Sequence, residues 1–99
     1  MEKKQKRQYV IVRAESAGCF AGNLVSQDAD VVVLDDCRRL WYWDGAASLS
    51  QLAMEGTKVP TNCKFPCETQ GHKIMKVIEI IPCTAVAEKS IREVPVWEK

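Results

Sequence analysis

At 99 residues the chain is long enough for one domain with a core of its own. It carries 14 Lys and Arg against 13 Asp and Glu, and residues 8–99 alone hold ten basic and twelve acidic side chains, which excludes general affinity for duplex phosphates. No apolar run approaches the roughly 18 residues of a membrane span, the basic start lacks the apolar h-region of a signal peptide, and the five cysteines are an odd number, so a cytoplasmic protein with free thiols and no membrane partner is expected.

Lys3, Lys4, Lys6 and Arg7 form a basic cluster, read as a solvated flexible tail over residues 1–7 ahead of a domain over 8–99. The stretch QYVIVRAE, residues 8–15, is rich in β-branched residues and predicts a first strand. Gly18 and Gly22 suggest a tight turn or a bulge. SQDAD, residues 26–30, predicts a turn, and the VVVL run that follows predicts a strand over 31–36 buried on both faces. CRRLWYW, residues 37–43, predicts a further strand, closed by the Asp44-Gly45 turn signal.

The hydrophobic period then changes. Ser48 with Gln51 three residues on is a capping-box pattern. Leu49, Leu52 and Ala53 share one helical face, and Gly56 supplies a stop. Pro60, Pro66 and Gly71 punctuate an irregular segment with room for one edge strand. IMKVIEII, residues 74–81, predicts the last long strand, ended by Pro82. Thr84 caps a second short helix over 85–91, with Val86, Ala87 and Ile91 toward the sheet, and an extended tail carries Trp97. The expected fold is α+β: a small, mainly antiparallel or mixed twisted sheet of four to six strands with two short helices.

Three constellations could carry chemistry. Cys63, Cys67 and His72 are thiolate and imidazole donors of the kind zinc prefers. Their spacing is not C-x2-C and the chain has one histidine, so no metal site and no cofactor are expected. Nucleophilic catalysis would need a thiolate beside a base and an orienting group. No nucleophile elbow, phosphate loop or H-E-x-x-H is present, and the expectation is a protein that is not an enzyme. The third constellation is the aromatic strand. Period 2 places Arg38, Leu40 and Tyr42 on one face and Arg39, Trp41 and Trp43 on the other. Guanidinium forks bind phosphate and stack on rings, and aromatic faces stack on bases, so these are components of a nucleotide site. The alternative is plain packing, since a small domain needs its tryptophans for its core.

The spaced features SAG…G.L…V.L.D.RR.WYW.GA.SL..LA..G and EIIP.T..A..SI..V..W, present over residues 9–97, resemble those of a family of small bacteriophage and prophage proteins of largely uncharacterised function. The segment with Cys63, Cys67 and His72 lies outside that pattern. The resemblance implies a phage accessory protein acting in the bacterial cytoplasm. By analogy it implies an oligomer that sequesters a nucleotide-type immune signal without cleaving it. Arg38 or Arg39 would clamp phosphate, Trp41, Tyr42 or Trp43 would stack on a base, Arg13 would add charge, and amides near Gly18 would form an anion nest. Two other classes remain open. One is an interaction protein that homo-oligomerises or binds a host protein through the aromatic strand and Trp97. The other is a nucleic-acid-binding accessory protein using the basic tail, without strong duplex binding.

Overall fold

The computed structural model describes residues 7–98. Its strands are β1 (Tyr9–Ala14), β2 (Gly18–Asp28), β3 (Val31–Arg39), β4 (His72–Ile74) and β5 (Val77–Pro82). Its helices are α1 (Leu49–Glu55) and α2 (Ala85–Glu93), with a 3-10 turn at Pro60–Asn62. The strands form one antiparallel sheet in the order β4-β3-β2-β1-β5, an α+β fold with a small twisted sheet and two short helices.

Chain connectivity forces this sheet to curl. Only Met75 and Lys76 join β4 to β5, which stand at opposite ends of the strand order. Three peptide units reach at most ~11 Å, whereas four strand spacings in a flat sheet need roughly 19 Å. The sheet therefore rolls toward a partly closed barrel. The Val77 N–H donates to Asp30 O (2.9 Å), which joins the start of β5 to the β2–β3 turn. Register shifts in β2, β3 and β5 supply the bends.

Each face of the sheet carries its own core. Val10, Val12, Ala14, Phe20, Val32, Leu34, Cys37 and Ile74 fill the concave side. Tyr9, Ile11, Ala21 and Leu40 on the convex side meet Leu52 and Ala53 of α1, Ile91 of α2, and Phe65. The strand buried on both faces is thus β1 rather than the VVVL run. In β3, Val32 and Leu34 are buried while Val31 and Val33 are half-buried.

Several expected boundaries move. Residues 26–28 continue β2, and the turn narrows to Ala29 and Asp30, with Ala29 at φ 54°. Residues 31–39 form one strand, not two, and it stops before the aromatic run. IMKVIEII divides into β4 and β5 because Lys76 adopts φ 59° between them.

The helix signals hold. Ser48 Oγ accepts from the Gln51 N–H (3.1 Å), and Gln51 Oε1 accepts from the Ala47 N–H (2.7 Å). Thr84 Oγ1 accepts from Ala87 N–H (3.1 Å) while its own hydroxyl donates to Met54 O (2.7 Å), so one side chain caps the start of α2 and the end of α1. Ala87 and Ile91 face inward, but Val86 is exposed, a position that the expected helix face had turned toward the sheet.

Candidate functional site

The two arginines of the RR pair are separated by a bulge. Asn23 pairs with Asp35 and Ala21 with Arg38, so Asp36 and Cys37 together oppose the single residue Gly22. Asp36 takes φ 50° at this point. The extra residue reverses the side-chain phase of β3. Val32, Leu34, Cys37 and Arg39 then share the concave face, while Arg38 joins Leu40 on the convex one.

Arg38 is 2% exposed. Its Nε donates to Pro66 O (3.0 Å), Nη1 to Ile91 O (2.9 Å) and Val94 O (2.7 Å), and Nη2 to Phe65 O (2.6 Å) and Pro95 O (3.5 Å). Every donor meets a backbone carbonyl, and none meets a carboxylate. Ile91 and Val94 lie at the C-terminal end of α2, where the helix dipole favours a cation. Burial lowers its pKa below the ordinary arginine value, and a guanidinium remains charged in proteins. Arg38 thus pins the 65–66 and 91–95 segments to the sheet. Its donors are already spent on backbone carbonyls, which corrects the expectation of a phosphate clamp at this residue.

Asp35 and Asp36 hold the neighbouring loop. Asp35 accepts from Gly71 N–H (2.7 Å) and from Arg7 (2.8 Å), and these bonds keep its carboxyl below the usual range. Asp36 accepts from Gln70 (2.9 Å), Asn23 (3.1 Å) and Arg92 (3.3 Å). Arg7, expected in the solvated tail, is therefore tied to the sheet; Lys3, Lys4 and Lys6 lie outside the described residues.

Beyond Arg39 three extended segments come together. Tyr42 and Lys64 form an antiparallel bridge, with the Lys64 N–H donating to Tyr42 O (2.7 Å). Phe65 and Val96 form a parallel bridge, with the Trp97 N–H donating to Phe65 O (3.0 Å). Buried Phe65 anchors the middle segment, so its neighbour Lys64 turns outward. Lys64 Nζ sits 5.9 Å from the Tyr42 ring centroid and 5.5 Å from that of Trp97. Exposure is 63% at Trp41, 50% at Tyr42 and 40% at Trp97. Among the described residues Lys64 makes no ion pair. The result is a surface patch in which the Tyr42 and Trp97 rings flank one cation that has no ion-pair partner among the described residues, with exposed Trp41 next to Tyr42 in the chain.

The remaining candidates scatter. Trp43 is half-buried against the convex core, because the chain leaves the strand before it and the expected alternation with Trp41 lapses. Arg39 stacks on Phe20 (4.5 Å) and gives Nη1 to Ala17 O (2.6 Å). Arg13 pairs with Glu79 (2.9 Å). Gly18 starts β2 at φ 104°, with open space where a Cβ would stand, so it serves backbone geometry.

Cys63, Cys67 and His72 do not converge. Cys63 is buried, with Sγ 3.6 Å from Asp44 O; Cys67 is exposed; His72 lies in β4, its ring 5.2 Å from Phe20 and its Nδ1 2.7 Å from Thr69 Oγ1. Among the described residues no three His, Cys, Asp or Glu side chains are grouped to hold a metal ion. Burial pushes the Cys37 thiol up to about 11 and Cys83 up to about 12, so both stay protonated at neutral pH.

Lys64 belongs to the patch yet lay in the segment read as loop. The alternation of buried Cys63, exposed Lys64 and buried Phe65 is a short strand signal that the neighbouring Pro66 obscures. Trp97 had been singled out as an interface anchor, but not as a neighbour of Tyr42.

Among the described residues no helix is long and apolar enough to cross a membrane. A sequence-family model described as "Domain of unknown function (DUF6948)" matches residues 7–91. That span takes in β1 to β5, Trp41, Tyr42 and Lys64, and stops short of Val96 and Trp97. No curated protein and no solved structure matches the chain.

Proposed function

We propose that this chain, which belongs to that family of unknown function, is a non-catalytic binding protein whose working surface is the patch of Trp41, Tyr42, Lys64 and Trp97. Its ligand is a planar anion of the nucleotide class. The observation that carries this reading is the Lys64 ammonium, without an ion pair among the described residues, between two exposed rings, with the exposed Trp41 adjoining Tyr42 in sequence. Exposed indole and phenol faces stack on bases whatever the base identity. The ammonium supplies a point charge for phosphate. Arg39 stands two residues before Trp41; its guanidinium stacks on Phe20 and gives one hydrogen bond, to Ala17 O, among the described residues, so donors remain for a second phosphate. In a phage-infected bacterium such a protein removes a nucleotide-derived immune signal by holding it.

Calorimetry against cyclic di- and trinucleotides and ADP-ribose isomers tests this directly. Saturable heat is expected for at least one of them, lost in Lys64→Ala and in Trp97→Ala. An absence of heat across the panel, with the protein folded, would remove the nucleotide reading.

A second reading uses the same patch for protein docking, and the shape of the surface favours it. Three grooves among the described residues, of about 400, 300 and 290 Å³, lie against α2, lined by residues such as Val86, Glu88 and Lys89, and none of these three is lined by the patch. An open aromatic surface suits a protein partner more readily than a small molecule.

A further inference from the structure

We infer that the space between Tyr42 and Trp97 is a slot for one base, plugged in the free protein by Lys64, and that a nucleotide enters by exchange. Its base takes the place of the ammonium, and the ammonium moves onto its phosphate. This rests on the nucleotide reading above and names the unit recognised at that site, a single base with a phosphate attached.

Distance carries the first step. The Lys64 Nζ lies over the Tyr42 ring at 5.9 Å and over the Trp97 ring at 5.5 Å. Both values fall inside the roughly 4.5–7 Å at which aromatic ring centroids stack. A base centred where the ammonium sits is therefore in stacking range of both rings. Among the described residues the two rings make no contact with each other, and it is the lysine ammonium that lies between them.

The walls keep their places when the plug leaves. Tyr42 is held by the Lys64 N–H on its carbonyl (2.7 Å), and Trp97 by its own N–H on Phe65 O (3.0 Å). Phe65 O also accepts from Arg38 Nη2 (2.6 Å), and Phe65 and Arg38 are both buried. None of these bonds involves the Lys64 ammonium. The plug is an exposed side chain on a flexible four-carbon stem, without an ion pair among the described residues. A preformed slot with a movable occupant lets a ligand bind without reordering the backbone.

Charge couples the two halves of the ligand. A base alone drives the ammonium into water with no anion to meet. A phosphate alone meets a point charge and gains no stacking. Only a ligand with both parts restores ring contact to Tyr42 and Trp97 and gives Lys64 an anion. Lys64 is thus a specificity-determining residue that rejects bare nucleosides.

Calorimetry on the full chain with adenosine, AMP and cyclic di-AMP tests the exchange. Wild type is expected to bind AMP or cyclic di-AMP, the two arms telling a mononucleotide from a cyclic dinucleotide, and to bind adenosine at least tenfold more weakly. Lys64→Ala is expected to shift the two kinds of probe in opposite directions. The phosphate-bearing probe binds roughly tenfold more weakly and adenosine roughly tenfold more tightly, because two cation–π contacts no longer oppose entry. Removing a wall as well, in the double variant Lys64→Ala, Trp97→Ala, is expected to cancel the adenosine gain. Circular dichroism matching wild type is the control, since both side chains are exposed. Adenosine bound no more tightly by Lys64→Ala, or a gain that survives the loss of Trp97, overturns the exchange, and the nucleotide reading still stands where wild type binds a phosphate-bearing probe. A wild type that binds no phosphate-bearing probe removes both.

Discussion

Arg38 shows how a single side chain can be conspicuous in sequence and still misread. The RR pair invites a phosphate, and the strand period correctly parts its two members. What decides between them is invisible at the level of side-chain identity. The acceptors of Arg38 are backbone carbonyls of residues 65, 66, 91, 94 and 95, and a carbonyl leaves no mark on composition. Arg38→Met is expected to cost ~3–5 kcal/mol, because it strands several buried carbonyls that the helix end and the loop cannot turn to water. Arg38→Lys should recover little of this, since one ammonium cannot span the fork. Urea unfolding of both variants measures the loss. His72 gives a second residue-scale expectation. Burial, and then Arg39, lower its ionisation from the ordinary 6.5. The unfolded chain therefore takes up the proton more readily, and stability should fall as pH drops from 6.5 through the lower folded value. The pH dependence of the urea midpoint should flatten in that window in His72→Gln.

At the scale of elements, the helices were legible and the strands only in outline. Ser48, Gln51 and Thr84 are local signals acting over three residues, and they place α1 and α2 correctly. Strand boundaries answer to partners far along the chain. The bulge opposite Gly22 is the clearest instance, since it reverses the phase of β3 and so sends Arg38 to the convex side. Gly22 had been marked for a turn or bulge, but which strand carries the extra residue depends on pairing. A Cβ at this position would stand 2.8 Å from Asp35 O and 3.0 Å from Cys37 Cα. Gly22→Ala is accordingly expected to destabilise by roughly 1–3 kcal/mol. Its effect should reach α2 through Asp36 and Arg92, which hydrogen exchange at the α2 amides would register. By contrast, the join between β4 and β5 left only one subtle trace, Lys76 at φ 59° in a run that otherwise reads as a single strand.

For the molecule as a whole, the barrel and its patch come from the same economy of chain. A two-residue β4–β5 link rolls the sheet, and the long β3–β4 connection carries Lys64 outward beside Tyr42. The site was half legible: Trp41 and Tyr42 stood out, and Trp97 stood out alone, while Lys64 was hidden among prolines. If the patch works through aromatic area, Tyr42→Ala and Trp97→Ala should abolish binding or assembly at little cost in stability. Both rings are 40% exposed or more, so thermal melts close to wild type are the expected control. The Arg38 clamp has one more consequence, for the order of events during synthesis. The guanidinium is made early, and its last acceptors, Val94 and Pro95, come 56 and 57 residues later. A ribosome-bound chain ending at α2 still lacks the Val94 and Pro95 carbonyls that complete the Arg38 bonds in the core. Protease resistance of stalled nascent chains should therefore rise sharply once Val94 and Pro95 have cleared the exit tunnel.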